Sequence, residues 1–277
     1  MPRMMPNVGV GLRTRPAPVG AGAIAARLAL ALDPVRLAMR AGVAPDAWQA
    51  DVIRTDVAQL ALLCSRQAGK STVSALLAVH EALFRAPALV LLLAPALRQS
   101  QELFRKIRHV LAALGDVAGP VSGESALGLE FASGSRIVCL PGNEATVRGF
   151  SSVRLLIVDE AARVPDALYQ AVRPMLAVSG GRIALLTTPW GRRGFFFEEW
   201  ERGGPGWHRV RITAHDVPRI SAEWLAHERA RIGDWWFRQE YLCEFVETDD
   251  QVFSYDTVMA AIRDDVAPLF APAPDAR

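Results

Sequence analysis

Gly69, Lys70 and Ser71 close the segment Cys64-Ser65-Arg66-Gln67-Ala68-Gly69-Lys70-Ser71-Thr72, which follows directly on the apolar run Leu60-Ala61-Leu62-Leu63. A glycine, a lysine and a hydroxyl residue in that order form the end of a phosphate-binding loop. The glycine lets the backbone turn so that successive N–H groups face one anion. The lysine brings a point charge to the β- and γ-phosphates, and the serine hydroxyl can ligate Mg²⁺. A helix predicted over 70–85 would set its positive N-terminal end against the same anion. The pattern departs from the usual one at its first position, where Cys64 replaces glycine. Taken alone, the tripeptide also fits an ordinary strand-to-helix turn with its lysine in solvent.

A second pattern makes the first specific. Arg154-Leu155-Leu156-Ile157-Val158-Asp159-Glu160 is a short apolar run that closes on two carboxylates. A parallel strand buried on both faces delivers its last side chains to the carboxyl edge of the sheet, where a phosphate loop also lies. Asp159 could then hold Mg²⁺, and Glu160 could orient and deprotonate an attacking water. A third run, Gly181–Leu186, enters Thr187-Thr188-Pro189. Hydroxyls at that strand end can sense a γ-phosphate and pass its presence to a neighbouring segment. Three strands ending in these groups predict a nucleoside triphosphatase.

The elements that must position these groups alternate between strand and helix. Helices are predicted over 22–41 and 46–57, then a strand near 59–64, helix 70–85, strand 88–94 and helix 97–114. A hairpin follows, with strands near 128–132 and 135–140 turning at Ala132-Ser133-Gly134-Ser135. The Asp159 strand, a helix near 165–177 and strands at 182–187 and 207–213 complete the sheet. The pattern implies an α/β domain with a mostly parallel sheet flanked by helices. Helices at 221–231 and 233–241, with Trp235-Trp236-Phe237, read as a small helical lid; aromatics there pack more often than they stack on bases. The expected organisation is a disordered 1–20, an ATPase domain over 21–214, a lid and linker over 215–255, and a tail over 256–277.

The sequence resembles the ATPase region of the phage terminase large subunit, the motor that packages viral DNA. The resemblance rests on Ser65–Ser71, Leu156–Ala161 and Thr187-Thr188-Pro189, and extends through Leu93–Ser100 and Leu140–Gly149 to cover roughly 45–255. It implies a RecA-like P-loop NTPase of the additional-strand (ASCE) type, with ATP and Mg²⁺ as cofactors. Trp48-Gln49 would contact adenine, and Ser65, Arg66, Gln67, Ala68, Gly69, Lys70, Ser71 and Thr72 would hold the phosphates. Ser71 and Asp159 would bind Mg²⁺, Glu160 would be catalytic beside Lys70 and Arg66, and Thr187, Thr188 and Pro189 would couple hydrolysis to movement. Arg66 or Arg148 would serve as an arginine finger. Arg192 and Arg193 are candidate DNA contacts. Implied partners are double-stranded DNA, a portal protein, a small terminase subunit and further copies in a ring. Complete members usually carry an RNase H-like nuclease with acidic metal ligands. Here Asp249–Ser254 resembles the linker toward it, only one short helix near 256–263 follows, and Asp264 and Asp265 read as solvated, so no nuclease activity is expected. A helicase-like translocase and a non-catalytic prophage remnant are the alternatives.

Composition fits these expectations. The chain has 277 residues, 51% of them hydrophobic, enough to bury a substantial core, and a net charge of only +2. Basic character is local, with Arg98, Arg105, Lys106, Arg108 and His109 on one predicted helix; such a cluster is usually a solvated face, or in a translocase a track for phosphates. The three cysteines show no metal or disulfide spacing, and no run approaches the length of a membrane span. Arg27 interrupts the apolar Ala21–Leu32, which reads as an amphipathic helix rather than a leader. A reduced cytoplasm in a bacterial host is the expected compartment.

Overall fold

The computed structural model describes residues 21–142, 147, 149–247 and 255–262. Its centre is one eight-stranded sheet. In chain order the strands are β1 (Gln59–Cys64), β2 (Leu89–Ala94), β3 (Val121–Glu124), β4 (Gly128–Phe131), β5 (Arg136–Pro141), β6 (Val153–Asp159), β7 (Arg182–Thr187) and β8 (Trp207–Ile212). Across the sheet their order is β3-β4-β5-β2-β6-β7-β1-β8. The strands from β5 to β8 run parallel, and the β3-β4-β5 edge is antiparallel.

The helices are α1 (Ala21–Leu32), α2 (Pro34–Arg40), α3 (Ala47–Arg54), α4 (Lys70–Phe84), α5 (Leu97–Leu114), α6 (Asp166–Val172), α7 (Gly194–Arg202), α8 (Ala222–Ile232), α9 (Asp234–Leu242) and α10 (Tyr255–Ala261). The four central strands β1, β2, β6 and β7 are covered on both faces, which is why they read as near-continuous apolar runs. Along β1, Leu60 and Leu62 face the cluster that includes Val73, Leu76 and Ile107, while Ala61 and Leu63 face the one that includes Leu168, Tyr169 and Phe196. Successive strand residues point to opposite faces, so one apolar run feeds two cores.

Several expectations need correction. The helix predicted over 22–41 is two helices. Asp33 is extended, its side chain accepts the Val35 N–H, and Pro34 opens α2 at a position where a missing N–H costs nothing. The predicted 46–57 helix is shorter, and the 165–177 helix is α6 followed by a 3₁₀ turn over 173–176. Strand β3 and helix α7 are additions that the sequence pattern does not announce. The two helices expected over 221–231 and 233–241 are α8 and α9, and Ala214, Leu225, Phe237 and Tyr241 form a small cluster of their own. Phe237 is therefore a packing residue. Trp235 donates to the Glu247 carbonyl at 2.6 Å and meets Trp236 edge-on, leaving Trp236 partly exposed. The predicted disordered 1–20, the 249–254 linker and the tail beyond Ile262 lie outside the described residues.

Candidate active site

The phosphate loop hangs from the carboxyl end of β1. Ser65 N–H extends the ladder to the Ile212 carbonyl (2.8 Å), and then the chain leaves the sheet. Gln67 (φ 60°) and Gly69 (φ 101°) both adopt left-handed backbone, reversing the chain so that α4 starts at Lys70. At Gly69 an added methyl would fall 2.5 Å from Gln49 Nε2. Gln49 is itself fixed: its Oε1 accepts the Asp46 N–H (2.9 Å) and its Nε2 donates to the Ala68 carbonyl (3.2 Å). Gly69→Ala thus combines a disfavoured φ with displacement of a buried amide. We expect it to lower stability by ~1–3 kcal/mol and to weaken nucleotide binding, read by thermal melts and by titration with ADP.

Strand β7 lies between β1 and β6, with Leu63 opposite Thr187 and Asp159 opposite Leu186. The ends of all three strands therefore meet at one level of the sheet. Lys70 is buried there; its Nζ donates to Thr188 Oγ1 (3.0 Å) and to the Ser65 carbonyl (3.4 Å), and lies 3.9 Å from a Glu160 carboxylate oxygen. Thr187 Oγ1 accepts the Ala162 N–H (3.2 Å) and donates to the Thr188 carbonyl (2.8 Å). The turn after Glu160 is thereby tied to the threonine pair. Glu160 takes a left-handed backbone (φ 50°, ψ 43°), unusual without glycine, and its N–H bonds Asp159 Oδ1 (3.1 Å).

Lys70, Glu160 and Thr188 line a cavity of about 460 Å³ together with Arg66, Gln67, Gly69, Ser71, Gln99, Lys106 and Arg163. Asp159 is buried beside it. Burial first, and then the charge of Glu160, push its carboxyl up to about 6, with Lys70 pulling the other way. A buried carboxylate in this condition is short of positive charge. Together with the Ser71 hydroxyl at the first turn of α4, it is the donor set a hard divalent cation takes. Cys64, in the first-glycine position, is buried, and its thiol is pushed up to about 12 by that burial. It fills space and is not a reactive thiolate.

The structure brings Arg66, Gln67, Gly69, Lys70, Ser71, Glu160 and Thr188 to one cavity and adds wall residues that sequence reasoning misses. Gln99 and Lys106 come from α5, and Lys106, grouped by sequence with a basic surface, faces the cavity. The rest of that group is partly neutralised: Arg105 pairs with Glu102 and Arg108 with Glu124. Arg66 is held by α9, forming an ion pair with Glu240 while its N–H bonds the Glu240 carbonyl (3.0 Å). Arg219, unremarked in the sequence, bridges Asp46 (2.6 Å) and the Ala68 carbonyl (3.3 Å). The structure brings Gln49 to the loop but not Trp48, which packs against the core with its buried Nε1 lacking a hydrogen-bond partner. Arg192 pairs with Glu247 (3.3 Å), and Arg193 lies over the Trp190 ring. Arg148 lies outside the described residues.

A glycine-turned loop at a helix N-terminus, an acidic pair two strands away and a strand inserted between them define a P-loop nucleotide-binding α/β protein. Within that class, the chain belongs to the terminase large subunit family. The family model described as "Terminase large subunit, T4likevirus-type, N-terminal" matches residues 61–258. The terminase large subunit of Thermus phage G20c is 28% identical over 247 residues, covering 77% of this chain and 51% of that protein. The chain thus spans about half the length of the Thermus phage relatives it matches. The terminase large subunit of Escherichia phage T5 is 27% identical over 144 residues, 49% of this chain and 32% of that protein. Among solved structures, the Thermus phage P74-26 large terminase ATPase domain superposes with a TM-score of 0.67 at 25% identity, covering 76% of this chain and 97% of that one. The large terminase of another thermophilic bacteriophage, solved in complex with ATP-gamma-S, shares the fold with a TM-score of 0.59 at 14% identity, covering 73% of this chain and 53% of that one.

Proposed function

We propose that this chain is the ATP-hydrolysing motor unit of a DNA-packaging terminase large subunit, coupling Mg²⁺-dependent hydrolysis to translocation of double-stranded DNA. The observation that carries the reading is the convergence of Lys70, Glu160 and Thr188, from the loop and turns that follow three adjacent parallel strands, on one cavity at the start of α4, with Asp159 buried beside it. The backbone of 65–72 would wrap the phosphates, with Lys70 on their terminal oxygens and Thr72 at the helix start. Gln49, held against the loop, suits the edge of an adenine, and Trp48 contributes by fixing the helix that carries it. Ser71 and Asp159 would hold Mg²⁺, which supplies charge neutralisation on the β- and γ-phosphate oxygens. Glu160 accepts the proton of the attacking water. Thr187, Thr188 and Pro189 join Lys70 to the turn after Glu160, and so relay the state of the site along β7. Arg66 is a phosphate or finger arginine that Glu240 restrains, and Arg148 is the second candidate.

The helical segment 215–255 acts as a lid on a domain spanning 21–214; its contact with the loop through Glu240 and Arg219 supports this division. Arg192 and Arg193 follow the coupling threonines and are the proposed DNA contacts. A ring of copies docked on a portal, with a small terminase subunit, is the assembly in which such a unit works, in the cytoplasm of an infected or lysogenic cell. We assign no nuclease chemistry to any residue of this chain. Among the described residues no helix is long and apolar enough to cross a membrane.

The test is ATP hydrolysis by the purified chain, with Mg²⁺ or with EDTA, and with or without double-stranded DNA. We expect Mg²⁺-dependent turnover stimulated several-fold by DNA, with the stimulation fading as salt rises because phosphate contacts release counterions. Absence of nucleotide binding at any Mg²⁺ concentration would refute the reading.

A further inference from the structure

Arg163 ends the 3₁₀ turn over 161–163 and belongs to none of the motifs read from the sequence. It lines the same cavity as Lys70, Glu160 and Thr188. Its guanidinium carbon lies 3.8 Å from the centroid of the Trp190 ring, and among the described residues no carboxylate pairs with it. Of the other cations near the site, Lys106 reaches the cavity wall from α5 without an ion pair among the described residues, and the rest are committed elsewhere. Arg66 is held by Glu240, Arg192 by Glu247, and Lys70 by Thr188 and Glu160. Arg163 is half-buried, always charged, and its present partner is an uncharged ring. A cation–π contact at such a site is weak beside a bidentate, charge-assisted bond to phosphate.

The backbone around Arg163 is fixed while its side chain has two places to go. Its own N–H bonds the Glu160 carbonyl (2.8 Å), and the preceding N–H, of Ala162, bonds Thr187 Oγ1 (3.2 Å). Trp190 follows Thr187-Thr188-Pro189 directly, and Arg193 also sits over its ring, 5.8 Å from the centroid. Whatever draws Arg163 off the indole therefore alters the support of the segment that carries the proposed DNA contacts.

We propose that Arg163 binds the terminal phosphate of a nucleoside triphosphate, leaving Trp190 when that phosphate is present, and that Trp190 passes the change to Arg192-Arg193. The proposal rests on the nucleotide reading of the cavity. A purely packing role, an arginine covering a half-buried indole, is the competing explanation.

The two separate in equilibrium binding of ATPγS and ADP, each with Mg²⁺, measured calorimetrically on wild type, Arg163→Ala, Arg163→Lys and Lys70→Ala. We expect Arg163→Ala to weaken ATPγS by roughly 10–100-fold while ADP changes less than about twofold, and Arg163→Lys to recover part of the loss. Tryptophan emission should shift with ATPγS but not with ADP, and the shift should disappear in Trp190→Phe. Equal losses for both nucleotides, no loss for either, or an emission change that survives Trp190→Phe would overturn the assignment. If Lys70→Ala abolishes binding while Arg163→Ala binds both like wild type, the nucleotide site stands and the Arg163 role falls. If wild type binds neither nucleotide, both fall together.

Discussion

Glu160→Gln should reduce the rate of ATP hydrolysis by roughly 10²–10⁴-fold, the range a positioned general base contributes, while leaving nucleotide affinity near or above that of wild type. The side chain reaches into the cavity on a left-handed backbone that orients it there, and its carboxylate stands 3.9 Å from Lys70 Nζ. Glutamine keeps the shape and both the backbone bond to Asp159 and the turn to Thr187, so the scaffold is not altered. What it loses is the ability to take a proton. It also removes one of the charges that raise the Asp159 carboxyl, so Asp159 should ionise at lower pH and hold a divalent cation at least as well. The measurement is single-turnover hydrolysis beside ATPγS binding at several pH values. A rate within a few-fold of wild type would remove Glu160 from the role of base; a parallel loss of binding would show a structural residue instead.

How far this site is legible in sequence depends on where its residues come from. Asp159, Glu160 and Thr187-Thr188 sit at the ends of strands buried on both faces, and Lys70 and Ser71 follow the loop that leaves a third; such a strand is visible as a short unbroken apolar run. The loop and the acidic pair carry their own spacing as well. Arg163, Gln99 and Lys106 carry none. They reach the cavity because α5 packs on α4 and because the turn after Glu160 is pinned by Thr187, both of which are tertiary facts. Arg219 and Glu240 arrive from the segment after β8 for the same reason.

The fold divides likewise. Strand β3, Val121-Ser122-Gly123-Glu124, is short, polar and at the sheet edge, so it has no buried face to give it a period. Helix α7 is started by Asp166, whose Oδ1 accepts the Phe195 N–H (2.8 Å) across 29 positions of sequence. A local capping signal is absent because the cap is not local. The break at Asp33-Pro34, by contrast, is readable: an N-cap residue followed by proline is a helix start, and the continuous apolar pattern on either side masks it.

Asp159→Asn carries the opposite signature from Glu160→Gln, a gain in stability joined to a loss of activity. The wild-type carboxyl sits at about 6 against an ordinary 3.8, because the folded protein buries it beside Glu160. The folded state therefore binds more protons than the unfolded chain between pH 4 and 6, and stability from this group falls as pH rises through that window. Above it the whole penalty, roughly 3 kcal/mol by linkage, is in force. Asparagine keeps an oxygen for the Glu160 N–H and has no charge to desolvate. The amide is an imperfect substitute for a protonated carboxyl at this buried position, so about 1–2 kcal/mol should remain at pH 8, raising the melting temperature of the nucleotide-free protein by a few degrees. At pH 4 the difference should vanish, since wild-type Asp159 is then protonated in the folded state. With Mg²⁺ and ATP the order reverses. A neutral amide is a poor ligand for a hard cation, and hydrolysis should fall by roughly 10²–10³-fold. Melting curves of the two proteins at pH 4 and 8, with and without Mg²⁺ and ATPγS, read both effects. A variant no more stable than wild type at pH 8 would mean that Asp159 is not held at a cost. One that hydrolyses ATP normally would mean that it is not the metal-binding carboxylate. A variant that is both more stable and hydrolytically impaired would make the instability at the end of β6 the consequence of keeping an acceptor for a cation.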